Sequence, residues 1–366
     1  MKRILLSCLA LILIITASCK KTQVATIPVP ITPPVVVPPI TTNKKLIEVA
    51  NFKIGAAVKV ASLQGDAAFA NTVKSEFNQI TAKYEMKMNF IWTADNTYDF
   101  SKVDYLVDFA QQNNKTVHGH TLLWYQSFPD WLKNGGYDTV AFEGKVKTYI
   151  QTIVGRYKGK IVSWDVANEI FNDDGSLRVE SQIQGRFKDP IGFVGRCFRY
   201  AHDADPATKL FYNDYNVVLA TGKRTAMKNM ATRFKNAGIQ IDGLGEQFHY
   251  RISTNQSQIN TGFADLANSG LLIHISEADC KVNVSDSPSY VITETDKQKQ
   301  SDFFKNIVTL YNALPANQKF AITTWGVSDK SSWLQNSTNG NKEYPLLFDE
   351  SYNKKPAYVG FLSGLQ

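Results

Sequence analysis

Short apolar runs alternate with amphipathic stretches along the chain from Leu46 onwards. In the amphipathic stretches the apolar residues recur at spacings of three and four, which predicts helices with one buried face. These stretches include DFSKVDYLVDFAQQNN, FEGKVKTYIQTIVGRY, RTAMKNMATRFKNAG and QKQSDFFKNIVTLYNAL. The apolar runs between them predict eight strands, with the sequences FKIGAAV, MKMNFIW, TVHGHTLLW, IVSWDVANE, KLFYNDYN, IDGLGEQFH, LLIHISEAD and FAITTWGVSD.

Regular alternation of strands and helices implies a parallel sheet, because parallel neighbours need a crossover connection. Eight units in about 320 residues predict an α/β protein with a (β/α)₈ TIM barrel fold. We expect this barrel to form a single catalytic domain over residues 46–366. A doubly wound open sheet is the alternative, but no GxGxxG follows the first strand and no P-loop occurs. The barrel is therefore the preferred prediction.

The first 45 residues have a different composition from the rest of the chain. Residues 1–19, MKRILLSCLALILIITASC, place two basic residues before an apolar run and small residues, which predicts a secretory signal peptide. TASC resembles the lipobox of bacterial lipoproteins, which implies that Cys19 is lipidated; the alternative is a soluble secreted protein that is cleaved elsewhere. Residues 20–45 are dense in proline and predict an extended linker. We expect a domain at the bacterial cell envelope, lipid-anchored at the outer membrane or in the periplasm, or secreted.

Charge and cysteine usage exclude some classes of function. The net charge is +7, but the basic residues are scattered and do not predict a nucleic-acid partner. Cys197 and Cys280 stand alone in the body of the chain and no CxxC pair occurs, so a metal or redox motif is not indicated. Two separate buried thiols are expected, although a bridge between them is left open. We expect a monomer that needs no cofactor.

Polar and aromatic residues collect where the predicted strands end. In a TIM barrel these carboxyl-terminal ends carry the catalytic groups. Three tryptophans at one rim favour a sugar-binding cleft, because a sugar ring can stack on an indole ring. The HGH stretch could suggest a metal site, but no third ligand stands out and none is predicted. The residues at these ends are His118, His120, Trp124, Asn168, Glu169, Gln247, His249, Glu277, Asp279, Trp325 and Trp333.

Glu169 and Glu277 are the two glutamates that end otherwise apolar strands. These strands, the fourth and the seventh, face one another across the mouth of a barrel. Two carboxyl groups across a cleft are the machinery of glycoside hydrolysis, in which one donates a proton to the leaving oxygen. If the second group lies about 5–5.5 Å away, it attacks the anomeric carbon and the configuration is retained. The alternative is that each glutamate pairs with a neighbouring Lys or Arg.

The surroundings of the two glutamates suggest their roles. Strand alternation places Gln247 with His249, and Glu277 with Asp279, on common faces. A histidine beside Glu277 would stabilise the charged form of a nucleophile, and Asp279 could orient that histidine. Glu169 has less around it to hold a charge, which suits a proton donor. Asn168, next to it, could bond a sugar hydroxyl.

Seven motifs resemble, in family order, those of glycoside hydrolase family 10, the retaining endo-β-1,4-xylanases. They are GHTLLW, WDVANEIFND, NDYN, DGLGEQFH, ISEAD, TTWGVSDKSSWL and PLLFDESYNKKPAY, and the resemblance covers Leu46 to Gln366. It implies hydrolysis of xylan through a covalent glycosyl-enzyme, with Glu169 as acid/base and Glu277 as nucleophile. It further implies that Asn168, Gln247 and His249 surround the reacting sugar. The positions matching the glycone half of the cleft are Lys87, His120, Trp124, Trp325 and Trp333.

Two motifs depart from the family pattern in positions that contact the glycone sugars. The usual TxENxMK is here TAKYEMK, with Lys83 and Tyr84 in place of Glu and Asn. The usual GHTLVWHSQ is here GHTLLWYQS, with Tyr125 at the His position and Ser127 at the Gln position. We expect the chemistry to survive because both carboxylates remain. We do not expect the glycone subsites to read a plain xylose backbone in the usual way.

Three hypotheses follow from the sequence. The leading one is a retaining endo-β-1,4-xylanase at a bacterial envelope. The second keeps the fold and chemistry but changes the glycone specificity towards another β-glycan or a decorated xylan, with Lys83 near a uronic acid. The third is a non-hydrolytic glycan-binding surface lipoprotein, against which the two retained carboxylates argue.

Overall fold

The computed structural model describes residues 44–180, 182–335 and 342–366. The predicted signal peptide, the predicted lipidation site at Cys19 and nearly all of the predicted linker lie outside these residues. Eight parallel strands pair in sequence order, and the last pairs with the first, with Lys53 opposite Ala321. They are β1 Lys53–Val58, β2 Gln79–Ala82, β3 Thr116–Trp124, β4 Ser163–Asn168, β5 Lys209–Asp214, β6 Gly243–Glu246, β7 Leu272–Lys281 and β8 Lys319–Thr324.

A helix follows each strand, so the prediction of a (β/α)₈ barrel is confirmed. The eight helices are α1 Ala67–Glu76, α2 Ser101–Gln112, α3 Thr139–Arg156, α4 Pro190–Ala204, α5 Thr221–Asn236, α6 Gln256–Ala267, α7 Glu294–Asn312 and α8 Pro356–Leu365. Shorter pieces decorate the connections. They are helical turns at Leu46–Val49, Val60–Gly65, Met88–Ile91, Asp130–Lys133, Ala316–Gln318 and Asp329–Ser331, a hairpin of Trp92–Ala94 with Thr97–Tyr98, and a short strand, His249–Arg251, beside β7.

The predicted second strand, MKMNFIW, is wrong. The second barrel strand is Gln79–Ala82, while Met88–Ile91 within the predicted run is helical. Met88 and Ile91 are buried and Phe90 is 45% exposed, which is a helical spacing and not the alternation of a strand. All four residues of β2 are buried, although only Ile80 is strongly apolar, because a barrel strand is covered on both faces.

Aromatic and imidazole rings fill the interior of the barrel. The rings of Phe211 and Phe320 lie 4.6 Å apart, and those of His118 and His274 lie 4.7 Å apart, between centroids. Burial lowers the pKa of His274 well below its ordinary value, so this ring is neutral inside the core. His118 therefore belongs to the packed interior rather than to the rim. In the described part of the chain, no three His, Cys, Asp or Glu side chains are grouped as a metal site would require.

The two cysteines of the barrel are separate. Cys197 lies on α4 and Cys280 on β7, and both are free and buried, which confirms the expectation of two unpaired thiols. Burial raises the pKa of each thiol, so neither resembles a reactive thiolate. No helix in the described ranges is both long and apolar enough to cross a lipid bilayer.

Candidate active site

A cleft of about 570 Å³ opens at the carboxyl-terminal ends of the strands. One end is lined by residues that follow β2 and β8, and we call it the Tyr84 end: Tyr84, Lys87, Trp325 and Trp333. The other end is lined by residues that follow β5 and β6, and we call it the Tyr215 end: Tyr215, Asn216, Leu219, Arg251 and Thr254. The order of strands in the barrel places these ends on opposite sides of the mouth. Glu169 and Glu277, after β4 and on β7, line the cleft between them.

Glu277 is held as a carboxylate by the groups around it. The residue is only 4% exposed, and burial alone would raise its pKa. Nε2 of His249 lies 3.3 Å from Oε2, and this contact, with the positive field of His120 and Lys87, more than offsets the burial and lowers the pKa. The amide of Asn213 donates to Oε1 at 2.8 Å. Glu277 is therefore an ionised, oriented group at the centre of the cleft.

His249 links Glu277 to Asp279. Its Nδ1 lies 3.0 Å from Oδ1 of Asp279, on the opposite side of the ring from Glu277. Burial opposes the charge on the ring, but the two carboxylates outweigh it and raise the pKa of His249 to about 10. Oδ2 of Asp279 also accepts from the indole of Trp333 at 2.8 Å. Asp279 thus fixes both a charged imidazole and an aromatic wall of the cleft.

Glu169 has a different environment, made of neutral donors. Oε2 accepts from the indole of Trp124 at 3.0 Å, and Oε1 accepts from Gln247 at 2.9 Å and from Asn168 at 3.2 Å. The residue leaves β4 with a φ of 55°, a left-handed conformation that costs a non-glycine residue roughly 1 kcal/mol. Backbone bonds hold it there, because its N–H donates to Asn213 O and its carbonyl accepts from Arg178.

An amide network joins the two carboxylates. Asn213 donates to Glu277 and also to Oδ1 of Asn168, the latter at 3.0 Å, and Gln247 donates to the same oxygen at 3.3 Å as well as to Glu169. A Cβ atom at Gly245, on the neighbouring strand, would overlap the amide oxygen of Asn213. Glycine at that position therefore leaves the space in which Asn213 can face Glu277.

His120 also lines the cleft, beside Trp325 of the Tyr84 end. Nδ1 of His120 lies 2.8 Å from Asp165, and its ring packs against that of Trp325 with centroids 5.4 Å apart. The Lys87 ammonium lies 4.1 Å from the ring centroid of Trp124. Burial lowers the pKa of Lys87, although the charges of Glu277 and Glu169 oppose that effect.

The four departures in the glycone motifs do not all reach the cleft. Tyr84 lines it, but Lys83 is 2% exposed and donates to the carbonyls of Trp325 at 3.1 Å and Ser331 at 3.4 Å. The expectation that Lys83 meets a uronic acid is therefore corrected, because its ammonium is buried beneath the cleft wall. Ser127 is 1% exposed and bonds to the Trp124 carbonyl. Tyr125 packs beside Trp124 and under the guanidinium of Arg178, and it is not part of the lining.

Similarity to known proteins identifies the family. The profile of glycosyl hydrolase family 10 matches residues 42–363. This chain is a member of glycosyl hydrolase family 10. The family-10 relatives include Endo-beta-1,4-xylanase Xyn10C of Cellvibrio japonicus, which is 33% identical over 86% of this chain and 56% of its own length. Endo-1,4-beta-xylanase 3 of Hypocrea jecorina is 37% identical over 81% of this chain and 78% of its own length.

Solved structures agree with this membership. A family-10 structure from Paenibacillus barcinonensis superimposes with a TM-score of 0.82 at 30% identity, over 88% of this chain and 97% of that one. Xylanase10C from Cellvibrio japonicus, in complex with xylopentaose, superimposes with a TM-score of 0.81 at 32% identity, over 88% of this chain and 69% of that one. The chain spans little more than half the length of Xyn10C and 28% of Exoglucanase XynX from Acetivibrio thermocellus.

The sequence analysis missed several residues of this family-10 site. Asn213 joins the amide network, yet the NDYN motif served only for the resemblance, although its position at the end of β5 is the signal that located the other groups. Asp165 is fully inside β4 and holds both histidines of the HGH stretch. No pattern in the sequence indicates which buried acid a histidine meets across neighbouring strands. Tyr215 and Asn216 line the cleft from a loop, and Arg251 lines it from the end of the short strand His249–Arg251; none of them carries a periodic signal.

Proposed function

We propose that this family-10 chain hydrolyses β-1,4-linked xylan by double displacement with retention of configuration. The observation that carries the proposal is the pair of carboxylates in one cleft, joined by the amide network of Asn168, Asn213 and Gln247. Among the described residues neither Glu169 nor Glu277 forms an ion pair with a Lys or Arg. Both carboxylates therefore remain available to a substrate, and the xylanase relatives support xylan as that substrate.

The environments of the two carboxylates support distinct roles. Glu277, whose pKa is lowered, attacks the anomeric carbon while Glu169 gives its proton to the glycosidic oxygen and the leaving sugar departs. The product of this step is a sugar esterified to Glu277. Glu169, now ionised, takes a proton from water, and the resulting hydroxide breaks the ester bond at the anomeric carbon. The charged His249 stays beside Glu277 in both steps and keeps the departing carboxylate stable.

The remaining lining supports recognition of a sugar chain. His120, Lys87 and Gln247 present polar atoms to the cleft, and Asn168 lies at the acid/base residue. Trp325 and Trp333 present ring faces or edges at the Tyr84 end, where sugars pack against them. The combination of a few placed polar groups and aromatic walls is typical of carbohydrate clefts.

Substituting the two carboxylates separately tests the proposal. Glu277→Gln should abolish release of reducing ends from xylan, because an amide cannot act as the nucleophile. In Glu277→Gly, azide should restore turnover and give an α-glycosyl azide, whereas in Glu169→Gly it should give the β-anomer. Glu294→Gln, which changes an exposed glutamate on α7, is the control and should act as wild type. Near-normal turnover by Glu277→Gln would overturn the assignment.

Tyr84 supports a second candidate, in which the chemistry is the same but the glycone specificity differs. Its ring lines the cleft where the family resemblance implies an asparagine, and the amines of Lys59 and Lys87 both lie 5.3 Å from its centroid. A panel of plain, arabinosylated and glucuronosylated xylans with other β-glycans, scored by product length, separates the two candidates. Cleavage of linear xylan at a rate equal to that of decorated xylans would refute altered specificity.

We also propose that the chain acts as a monomer tethered to the bacterial envelope through lipidated Cys19. The sequence of residues 1–45 supports this, since a lipobox-like TASC precedes a proline-rich segment. Cys19→Ala should move the protein from the membrane fraction to the soluble fraction and abolish incorporation of labelled palmitate. Membrane association of this variant equal to wild type would reject the anchor, and sedimentation equilibrium tests the monomer.

A further inference from the structure

Arg251 stands apart from the other arginines of the described chain. Its guanidinium contacts no described group, and only its backbone takes part in hydrogen bonds, to Thr254 and within the short strand His249–Arg251. Every other described arginine is engaged by a carboxylate, a carbonyl or a hydroxyl. Those arginines are Arg156, Arg178, Arg186, Arg196, Arg199, Arg224 and Arg233.

The strand that carries Arg251 aims it into the cleft. His249 and Arg251 are two residues apart on one short strand, so their side chains leave the same face. His249 contacts Glu277, and Arg251 lies about 7 Å farther along the strand. That distance is a little more than the repeat of one sugar unit. Arg251 lines the Tyr215 end of the cleft and is exposed to solvent.

Among the described residues, no carboxylate at this end of the cleft pairs with Arg251. The carboxylate nearest in the network, that of Asp173, accepts from Asn216 at 2.8 Å and pairs at 2.9 Å with buried Lys223, which also pairs with buried Asp214 at 3.0 Å. The other lining groups of the Tyr215 end are neutral. Arg178, beside Tyr215, bonds only to a hydroxyl and a carbonyl. The Tyr215 end therefore holds a guanidinium that no described carboxylate occupies.

We propose that Arg251 binds the carboxylate of a uronic acid substituent on a sugar at the leaving-group side of the scissile bond. The proposal rests on the hydrolase function above and names its substrate class as an acidic, decorated xylan. A guanidinium pairs with a carboxylate through two parallel N–H···O hydrogen bonds. Because the guanidinium of Arg251 has no partner among the described residues, it breaks no hydrogen bond within the protein to form them. The leaving-group side follows from the resemblance, which assigns the residues of the Tyr84 end to the glycone half.

A matched pair of substrates tests the proposal. One is a xylo-oligosaccharide with a single glucuronic acid substituent, and the other is the same compound with its carboxyl reduced to an alcohol. In wild type, kcat/KM should be about fivefold higher for the acidic compound. In Arg251→Met this ratio should fall to about one, in Arg251→Glu below one, and in Arg251→Lys to an intermediate value. Raising the salt to 0.5 M should reduce the wild-type ratio, because exposed charge pairs are screened.

Arg199→Met is the matched control. It removes one positive charge from an exposed position on α4, where the guanidinium contacts only the carbonyl of Ala237, and it should keep the wild-type ratio. An acidic-to-neutral ratio that Arg251→Met leaves unchanged would overturn the role of Arg251. If wild type cleaved neither compound, the proposed hydrolase function would fail instead. The two failures are thus distinguishable.

Discussion

The imidazole of His249 lies between two carboxylates, with Nδ1 at 3.0 Å from Asp279. Its other nitrogen lies 3.3 Å from Glu277. This arrangement raises the pKa of the ring from 6.5 to about 10, so the imidazole stays charged at neutral pH. The ionised Glu277 therefore has a fixed positive partner. The charge state of the site is therefore a property of three side chains that two strand segments, His249–Arg251 and β7, bring into register.

The raised pKa of His249 predicts a pH-dependent contribution to stability. Its value of about 10, against 6.5 ordinarily, means that the stabilisation is complete below pH 6.5 and is lost as the pH rises through 10. In His249→Gln the free energy of unfolding should fall most near pH 6, and the gap to wild type should narrow by roughly 2–4 kcal/mol at pH 10. Urea unfolding at pH 6, 8 and 10 measures this gap. His202→Gln on α4 is the control, and a His249→Gln gap that stays constant with pH would contradict the prediction.

Asp279→Asn should move the acidic limb of the pH profile. The variant removes the charge that holds His249 protonated, so Glu277 loses part of its positive partner and its pKa rises. We expect the acidic limb of kcat/KM on a soluble xylo-oligosaccharide to shift upward by about 0.5–1 pH unit. Trp333→Phe removes the indole that bonds Asp279 but keeps the charge, so it should raise KM and leave the limb in place. An unshifted limb in Asp279→Asn would show that His249 does not need this carboxylate.

Gly245→Ala should reduce activity through Asn213. The added Cβ would overlap the amide oxygen of Asn213, which must turn away from Glu277 and Asn168. We expect kcat to fall about 10- to 100-fold, because the nucleophile loses an orienting donor, while unfolding measurements show a loss of about 1–2 kcal/mol.

Two further variants separate this effect from simple damage to the barrel. If Gly245→Ala acts through Asn213, the double variant with Asn213→Ala should be no less active than Asn213→Ala alone, since both remove the same contact. Gly144→Ala on α3 has open space around the new methyl group and should leave activity and stability near wild type. Additive losses in the double variant would refute the coupling.

The sequence was sufficient for the barrel and for the carboxylates because both depend on periodic patterns. Eight alternations predict the architecture, and strand alternation put Glu277 and Asp279 on one face, where His249 contacts both of them. The prediction from apolar runs failed for β2. Three of its four buried residues are polar or small, and a more apolar run lies just downstream.

The direction in which a side chain points was the second property that the sequence could not predict. A motif fixes where Lys83 lies along the chain, but its ammonium turns towards two carbonyls under Trp325, and neither contact has a sequence signal. Asn213 was missed for a related reason, because its side-chain partners come from two other strands, β4 and β7. Contacts of this kind depend on the packed barrel and not on local order.

Lys83→Met should loosen the wall that carries the tryptophans. Lys83 donates to the buried carbonyl of Trp325 and to the partly exposed carbonyl of Ser331, and its amine lies 6.0 Å from the centroid of the Trp325 ring, so the variant removes the donor of both carbonyls. We expect KM for xylo-oligosaccharides to rise about three- to tenfold with a smaller change in kcat. Lys297→Met, which removes a charge that pairs with exposed Glu294 on α7, is the control and should keep KM near wild type.

The pH dependence of stability provides a second test of Lys83→Met. Burial, aided by the charge of Lys59, lowers the pKa of Lys83 to about 8 from 10.5, so the unfolded chain binds the proton more tightly. Wild-type stability should therefore rise between pH 8 and 10.5, and the deficit of Lys83→Met should be larger at pH 10 than at pH 7. Urea unfolding at both pH values measures the deficit. A KM equal to that of wild type, together with a deficit that is the same at both pH values, would show that Lys83 does not position this wall.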